Sequence, residues 1–173
     1  MIRYACLIVS SIILSHLLLS CQGPGRAFKH DEHVIASIDF DKPDTTWNTF
    51  QYDRSVNCEW KDTSGRNGTG SIAISGNTLH AKWEKEFPVK ANHTYQITVF
   101  AKGEGRSYAY LSVNDRFSSK AAYGEFDWTM LSLEYTPDND KVITVNCNFG
   151  YGSGQTIYDG TVWFDDLKIS RIR

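Results

Sequence analysis

The chain has 173 residues and a formal net charge of −2, with 18 basic against 20 acidic side chains. A mildly acidic surface does not suit nucleic acid or anionic lipid as a ligand, because both are held largely by an excess of Lys and Arg. Aromatic residues make up 13% of the chain and 13 glycines are spread along it, a composition that favours short strands joined by tight turns.

The N-terminus has the layout of a secretory signal. Arg3 supplies a positive start, and Ala5 to Leu19 is apolar apart from serines and His16. That stretch falls short of the ~20 residues a spanning helix needs. Leu18-Leu19-Ser20-Cys21 follows and resembles the lipobox of bacterial lipoproteins. The resemblance implies cleavage before Cys21 and acylation of its thiol. Residues 1–20 are then a signal peptide, and the protein is lipid-anchored in the bacterial cell envelope through Cys21. Gln22 points to the outer rather than the inner membrane. Stable retention takes more than one acyl chain, and the resemblance implies more than one.

Residues 21–33 mix glycine, proline and charge without apolar periodicity and are expected to form a disordered tether. The remaining 34–173, about 140 residues, suffice for one domain and not for two. Cys6 leaves with the signal, so Cys58 and Cys147 are the thiols of the domain. Export permits a disulfide between them, and two free thiols are the alternative. The chain lacks CxxC and any Cys/His cluster, which argues against zinc.

Beyond residue 34 the apolar pattern alternates with period two, and no helical period persists. Strands are expected over Ser37–Phe40, Ser71–Ser75, Leu79–Phe87, Thr94–Lys102, Ser107–Asn114, Thr129–Thr136, Lys141–Phe149 and Thr161–Ser170. Eight such strands suit an all-β fold, a single-domain jelly-roll β-sandwich of two antiparallel sheets. In Ser107–Asn114, the residues Ala109, Leu111 and Val113 are core-like. Tyr108, Tyr110, Ser112 and Asn114 take the other face. In Lys141–Phe149, Ile143, Val145, Cys147 and Phe149 are core-like, with Thr144, Asn146 and Asn148 opposite. A solvated face ordinarily carries Lys, Glu and Thr. Tyrosines with amides and hydroxyls suit a sugar instead, since rings pack on a pyranose face while amides bond its hydroxyls. Cross-strand aromatic packing is the alternative. The candidate sugar contacts are Tyr108, Tyr110, Asn114, Asn146 and Asn148, with Trp47, Trp60, Trp83 and Tyr151, expected at strand ends or loops, as walls.

Strict alternation puts Trp163, Asp165, Leu167 and Ile169 on one face, leaving Asp165 in an apolar row where a carboxylate needs a partner or a metal. Asp39 and Asp41 flank Phe40, and Gly65–Ser71 is a turn rich in carbonyls. Carboxylates with turn carbonyls are calcium chemistry; bonds from backbone amides or Arg66 to Asp165 are the alternative.

Five segments in this order resemble the jelly-roll carbohydrate-binding modules of bacterial xylanases and cellulases, families four, nine, sixteen and twenty-two. They are Ile38–Asp41, Gly68–Ile74, Phe87–Tyr95 leading into Ile97–Lys102, Trp128 before Leu131–Tyr135, and Gly160–Ile169. The resemblance implies non-catalytic binding of poly- or oligosaccharide on a concave sheet. It also implies a structural calcium with Asp165 as one ligand and Asp41 as a second, and structural positions for Trp128 and Trp163. Such modules normally accompany an enzyme, for which this chain has no room. The competing readings are a structural module with envelope protein partners and a small polysaccharide-active enzyme. For the latter, Glu104, Asp115, Glu125 and Asp127 lie near turns and nothing pairs them.

Overall fold

The computed structural model describes residues 33–52, 55–139, 141–151 and 156–173. The signal segment, Cys21 and all but the last residue of the tether lie outside the described residues. The described chain is all strand and turn: β1 (His33–Ile38), β2 (Asn48–Gln51), β3 (Val56–Lys61), β4 (Ser71–Thr78), β5 (His80–Pro88), β6 (Tyr95–Arg106), β7 (Tyr108–Val113), β8 (Phe117–Ser118), β9 (Ala122–Tyr123), β10 (Phe126–Tyr135), β11 (Val142–Gly150) and β12 (Tyr158–Arg171).

These strands form two antiparallel sheets. The first runs β10-β6-β12-β4-β3, with β1 also paired to β12; the second runs β2-β5-β11-β7-β8, with β9 also paired to β7. The expected strands are present, the first of them shifted: β1 ends at Ile38, and Phe40 lies beyond it at φ 54°. β2, β3, β8 and β9 join them; Asn48–Gln51 and the two-residue β8 and β9 carry no apolar alternation, whereas β3 does, with Val56, Cys58 and Trp60 turned to the core. Alternation decides what the sheets enclose. Ile97, Val99, Val162 and Phe164 of the first sheet, and Leu111, Val113, Val145 and Phe149 of the second, have no exposed surface. Apolar area removed from water on this scale is the main favourable contribution to folding.

Three tryptophans expected to wall a binding surface are interior instead. Trp47 is 5% exposed and Trp83 is 6% exposed, and half-buried Trp60 packs against the same core. Phe40 meets Trp47 and Trp60 at ring separations of 5.3 and 5.6 Å, and Trp60 meets Trp83 at 5.9 Å. The Trp83 indole N–H donates to the Ala73 carbonyl at 3.1 Å, tying β5 of one sheet to β4 of the other. The reason is parity. Trp83 shares the side of β5 that carries Ala81 and Phe87, both buried.

The disulfide is absent. Cys58 and Cys147 are free thiols, one on β3 of the first sheet and the other buried on β11 of the second. Burial pushes both thiols above the usual cysteine range, as expected of inert structural cysteines.

A β-bulge resets the last strand. The register of β12 against β6 shifts between Asp165 and Lys168, and Asp166 has φ 51°. The extra residue flips the parity, so the buried set is Val162 and Phe164 before the bulge and Leu167 and Ile169 after it. Asp165 therefore does not continue the row of Leu167 and Ile169, and Trp163 lies on the side opposite Val162 and Phe164, only half-buried. Asp165 is fully buried all the same.

Candidate functional site

The outward side of the second sheet is organised by register. Phe50 pairs with Lys82, Lys82 with Asn148, and Asn148 with Tyr110, making one row across four strands. Beside it, Asn48, Glu84, Asn146, Ser112 and Ser118 make a second row across five. At about 4.8 Å between strands, five strands span roughly 19 Å. A groove of about 730 Å³ lies over these rows, lined among others by Phe50, His80, Lys82, Tyr110, Asp115 and Tyr151.

Its floor is a closed polar network. Asn148 Nδ2 donates to the Tyr110 carbonyl, Ser112 Oγ and the Asn146 carbonyl at 3.0–3.2 Å. Its Oδ1 faces His80 Nε2 at 3.1 Å. Asn146 Nδ2 donates to Ser112 Oγ and to Asp115 Oδ1, each at 3.1 Å. Both asparagines are buried. They reach the expected face, and their amide N–H groups are engaged within the protein rather than offered to a ligand. Asn146 Oδ1 has no partner among the described residues.

Lys82 is the electrostatic centre. Its ammonium donates to both oxygens of Asp115 at 2.9 Å and meets Glu84 at 2.9 Å. Burial works against the charge, but bonds to Asp115 and Glu84 outweigh it and raise the lysine above its ordinary value. Asn114 and Asp115 both sit in the left-handed region, at φ 52° and 53°. This turn aims Asp115 at Lys82. Asn114 itself closes the turn, accepting from the Thr144 amide at 2.8 Å. Asn114 lies outside this groove's lining and lines the adjoining hollow with Glu84, Asp115 and Thr144. Burial, then the charge of Asp115, pushes the Tyr110 phenol up to about 12.

The aromatic rim runs from one edge of the sheet to the other. Phe50 and Tyr151 are 45% and 48% exposed. His80 lies between Phe50 (5.9 Å) and Tyr110 (6.5 Å, near-parallel), and Tyr110 meets Tyr151 at 6.2 Å. The structure thus brings Tyr110, Tyr151, Asn146 and Asn148 together. Tyr108 sits beside them, half-buried in a cluster with Tyr123, Tyr151 and Tyr158. Phe50, His80, Lys82, Glu84 and Arg116 were not among the sequence candidates. The parity of β5 carried a signal for three of them: if Trp83 faces the core, His80, Lys82 and Glu84 face out.

The two expected calcium ligands hold one loop, away from the groove. Asp165 Oδ2 accepts from the Arg66 amide at 2.8 Å and Thr69 Oγ1 at 3.3 Å, and its Oδ1 from the Asp166 amide at 2.7 Å. Asp41 Oδ1 accepts from the Gly70 amide at 2.8 Å. Both carboxylates therefore grip the Gly65–Gly70 loop. Gly70 lies so close to β1's end that a Cβ there would sit 2.2 Å from the Phe40 carbonyl oxygen. The Arg66 guanidinium pairs with Asp166 at 3.2 Å, not with Asp165. The buried Asp165 charge thus faces amides and a hydroxyl, and burial raises its carboxyl above the usual range. A buried carboxylate without a cationic side chain, beside a second carboxylate and a carbonyl-rich loop, fits a hard cation in the chemistry of its donors. Among the described residues no three His, Cys, Asp or Glu side chains cluster as a metal set, so loop carbonyls would have to complete the shell.

No family model matches the chain, and no curated protein matches it. Solved structures do. The fold is similar to the CBM22-1-GH10 modules of the Clostridium thermocellum endo-1,4-β-D-xylanase 10B complexed with xylohexaose, at TM-score 0.63 and 18% identity, covering 81% of this chain and 29% of that one. It is similar to the CBM22-1 xylan-binding domain of Paenibacillus barcinonensis Xyn10C, at TM-score 0.61 and 14% identity, covering 82% of this chain and 96% of that domain. It is also similar to TmCBM61 in complex with β-1,4-galactotriose, at TM-score 0.54 and 12% identity, covering 73% and 89%. The chain has the jelly-roll fold of carbohydrate-binding modules.

Proposed function

We propose that the chain is a non-catalytic glycan-binding protein, held in a bacterial envelope by lipid on Cys21, that lays a poly- or oligosaccharide across the outer face of its second sheet. The observation that carries this reading is the groove with an aromatic rim and a hydroxyl- and amide-bearing floor. Such a surface offers ring faces to a pyranose and a rigid polar bed beneath. The fold it shares with a xylan-binding domain and with a module in complex with β-1,4-galactotriose supports the same reading, although fold alone does not fix a ligand. Affinity electrophoresis of the purified protein against xylan, β-glucan, mannan and pectin tests it. Unretarded migration in every gel would remove it.

Hydrolysis is the weaker reading, for a local reason. Glu84 and Asp115 do share the groove. Glycoside hydrolysis uses one carboxyl group as a proton donor beside the other. Here both carboxylates accept from the same Lys82 ammonium.

The lipid anchor gives its own expected result. Metabolic labelling with a palmitate analogue should mark the wild-type chain and leave Cys21→Ser unlabelled. Label retained on the serine variant would remove the anchor from this site.

A structural calcium belongs to the same proposal. Asp165 and Asp41 would hold it with carbonyls of the Gly65–Gly70 loop, and the ion would supply the counter-charge that Asp165 lacks. Removing a ligand bound to the native state lowers apparent stability by mass action. Excess EDTA should therefore lower the melting temperature, and added calcium should restore it. Asp165→Asn should melt at the same temperature with and without EDTA. A wild-type melting curve indifferent to EDTA would leave Asp165 held by amides alone.

A further inference from the structure

We infer that Nδ1 of His80 is a hydrogen-bond acceptor for a sugar hydroxyl in the groove, held in that role by Asn148. The inference rests on the glycan-binding reading and deepens it by assigning one polar contact and its dependence on pH.

Hydrogen-bond roles around Asn148 fix the state of the ring. Asn148 Nδ2 is surrounded by three oxygens, those of Tyr110, Asn146 and Ser112. A flipped amide would set its own oxygen against two carbonyls, so the amide orientation is fixed. Asn148 Oδ1 must then face His80 Nε2, 3.1 Å away. An amide oxygen only accepts, so Nε2 carries the hydrogen. In neutral imidazole one nitrogen donates and the other accepts. Nδ1 is therefore the acceptor, and none of the described residues engages it. The ring lines the groove between Phe50 and Tyr110, where a pyranose stacked on the rim would present hydroxyls to it.

The surroundings keep the ring neutral. Burial disfavours imidazolium first and holds His80 below the ordinary imidazole value; the Asn148 bond opposes this, Lys82 reinforces it and Asp115 opposes it. The titratable groups facing the ring are Lys82 and its partner Glu84 on β5, Tyr110 on β7 and Asp115 in the turn after β7; β11 contributes only Asn148. Tyr52, just past β2, touches His80 through its backbone amide. The Lys82 ammonium is already paired with two carboxylates. Protonation converts Nδ1 from acceptor to donor, so the hydroxyl must reverse its role, and a sugar lying over the ring would bury the new charge. Binding should thus be strongest with His80 neutral and weaken as pH falls through its lowered value.

Two measurements test this. The first needs no ligand: long-range ¹⁵N–¹H spectra of the imidazole at pH 7.5 should show the Nε2–H tautomer. An Nδ1–H tautomer overturns the inference and leaves the glycan-binding reading standing. The second is affinity for xylohexaose and soluble xylan between pH 7.5 and 5. One lost hydrogen bond corresponds to roughly tenfold in affinity, so the wild type should weaken toward that factor as the ring becomes protonated. His80→Phe keeps a ring against Tyr110 and should be about tenfold weaker at pH 7.5 and flat with pH. His80→Asn, whose carbonyl oxygen can occupy the Nδ1 position, should be flat as well and tighter than His80→Phe. Parallel pH curves for wild type and His80→Phe at equal affinity overturn the inference. If His80→Phe melts early, wild type against His80→Asn decides it by the same criterion. If the wild type binds none of xylohexaose, xylan, β-glucan, mannan and pectin at any pH, this inference and the glycan reading fall together.

Discussion

Trp83→Ala should unfold this domain more readily than any change in the groove, lowering stability by about 3–5 kcal/mol. The indole is 6% exposed, packs edge-on against Trp60 and bonds the Ala73 carbonyl across the sandwich. Truncation opens a cavity that close-packed neighbours can only partly refill. It also leaves the Ala73 oxygen without its side-chain donor. For a domain of this size the melting temperature should fall by roughly 10 °C or more. Urea unfolding should show a lower midpoint at an unchanged slope. The fraction still folded should retain its affinity for glycan, because no part of Trp83 lines the groove. An unchanged melt with binding abolished would return Trp83 to the wall of the site.

Replacing Tyr110 and Tyr151 together by alanine should do the opposite. Each ring stacked on a sugar contributes about 0.5–1.5 kcal/mol beyond its buried area. The pair should then weaken binding by roughly tenfold to a hundredfold. Tyr151 is 48% exposed and Tyr110 only half-buried, so the melting temperature should move by a few degrees at most. Tyr108→Ala is the internal comparison. Its ring packs against Tyr158 at 5.3 Å, and Tyr158 is buried against Phe149. Loss of Tyr108 should therefore show in the melt more than in the affinity. Affinity electrophoresis beside thermal melts separates the cases. A Tyr110/Tyr151 variant that stays folded and binds as before would move the platform away from this face.

The sequence was most legible where parity is unbroken. In β7 and β11 the apolar residues alternate without a break, so the side turned to the core and the side turned away from it could be read directly. The register Asn148–Tyr110 and Asn146–Ser112 then joined the two expected strands in one sheet. Legibility failed where parity shifts or where a side chain's size suggests a role. The bulge at Asp165–Asp166 moves Trp163 to the opposite side from Leu167, and nothing in Trp163-Phe164-Asp165-Asp166 signals an αL aspartate. Trp47, Trp60 and Trp83 look like loop aromatics beside polar neighbours, and only the packing of β2 and β3 against β4 and β5 encloses them. Asn146 and Asn148 were placed on the right face. That they are buried under His80, Lys82 and Asp115 depends on side chains from another strand and a turn, information that no single strand contains.

β12 has a consequence for how the molecule can be built. This last strand, 14 residues long, pairs along one side with β6, and along the other with β4 through its first half and with β1 through its second. A nascent chain emerging N-terminus first therefore has β1 without its partner, and β4 and β6 without the strand between them, until residues 158–171 are available. Early segments wait for the latest one, which makes closure a long-range, late event. If the chain is exported as proposed, translocation runs in that same direction, and the first sheet would stay open until residues 158–171 have crossed.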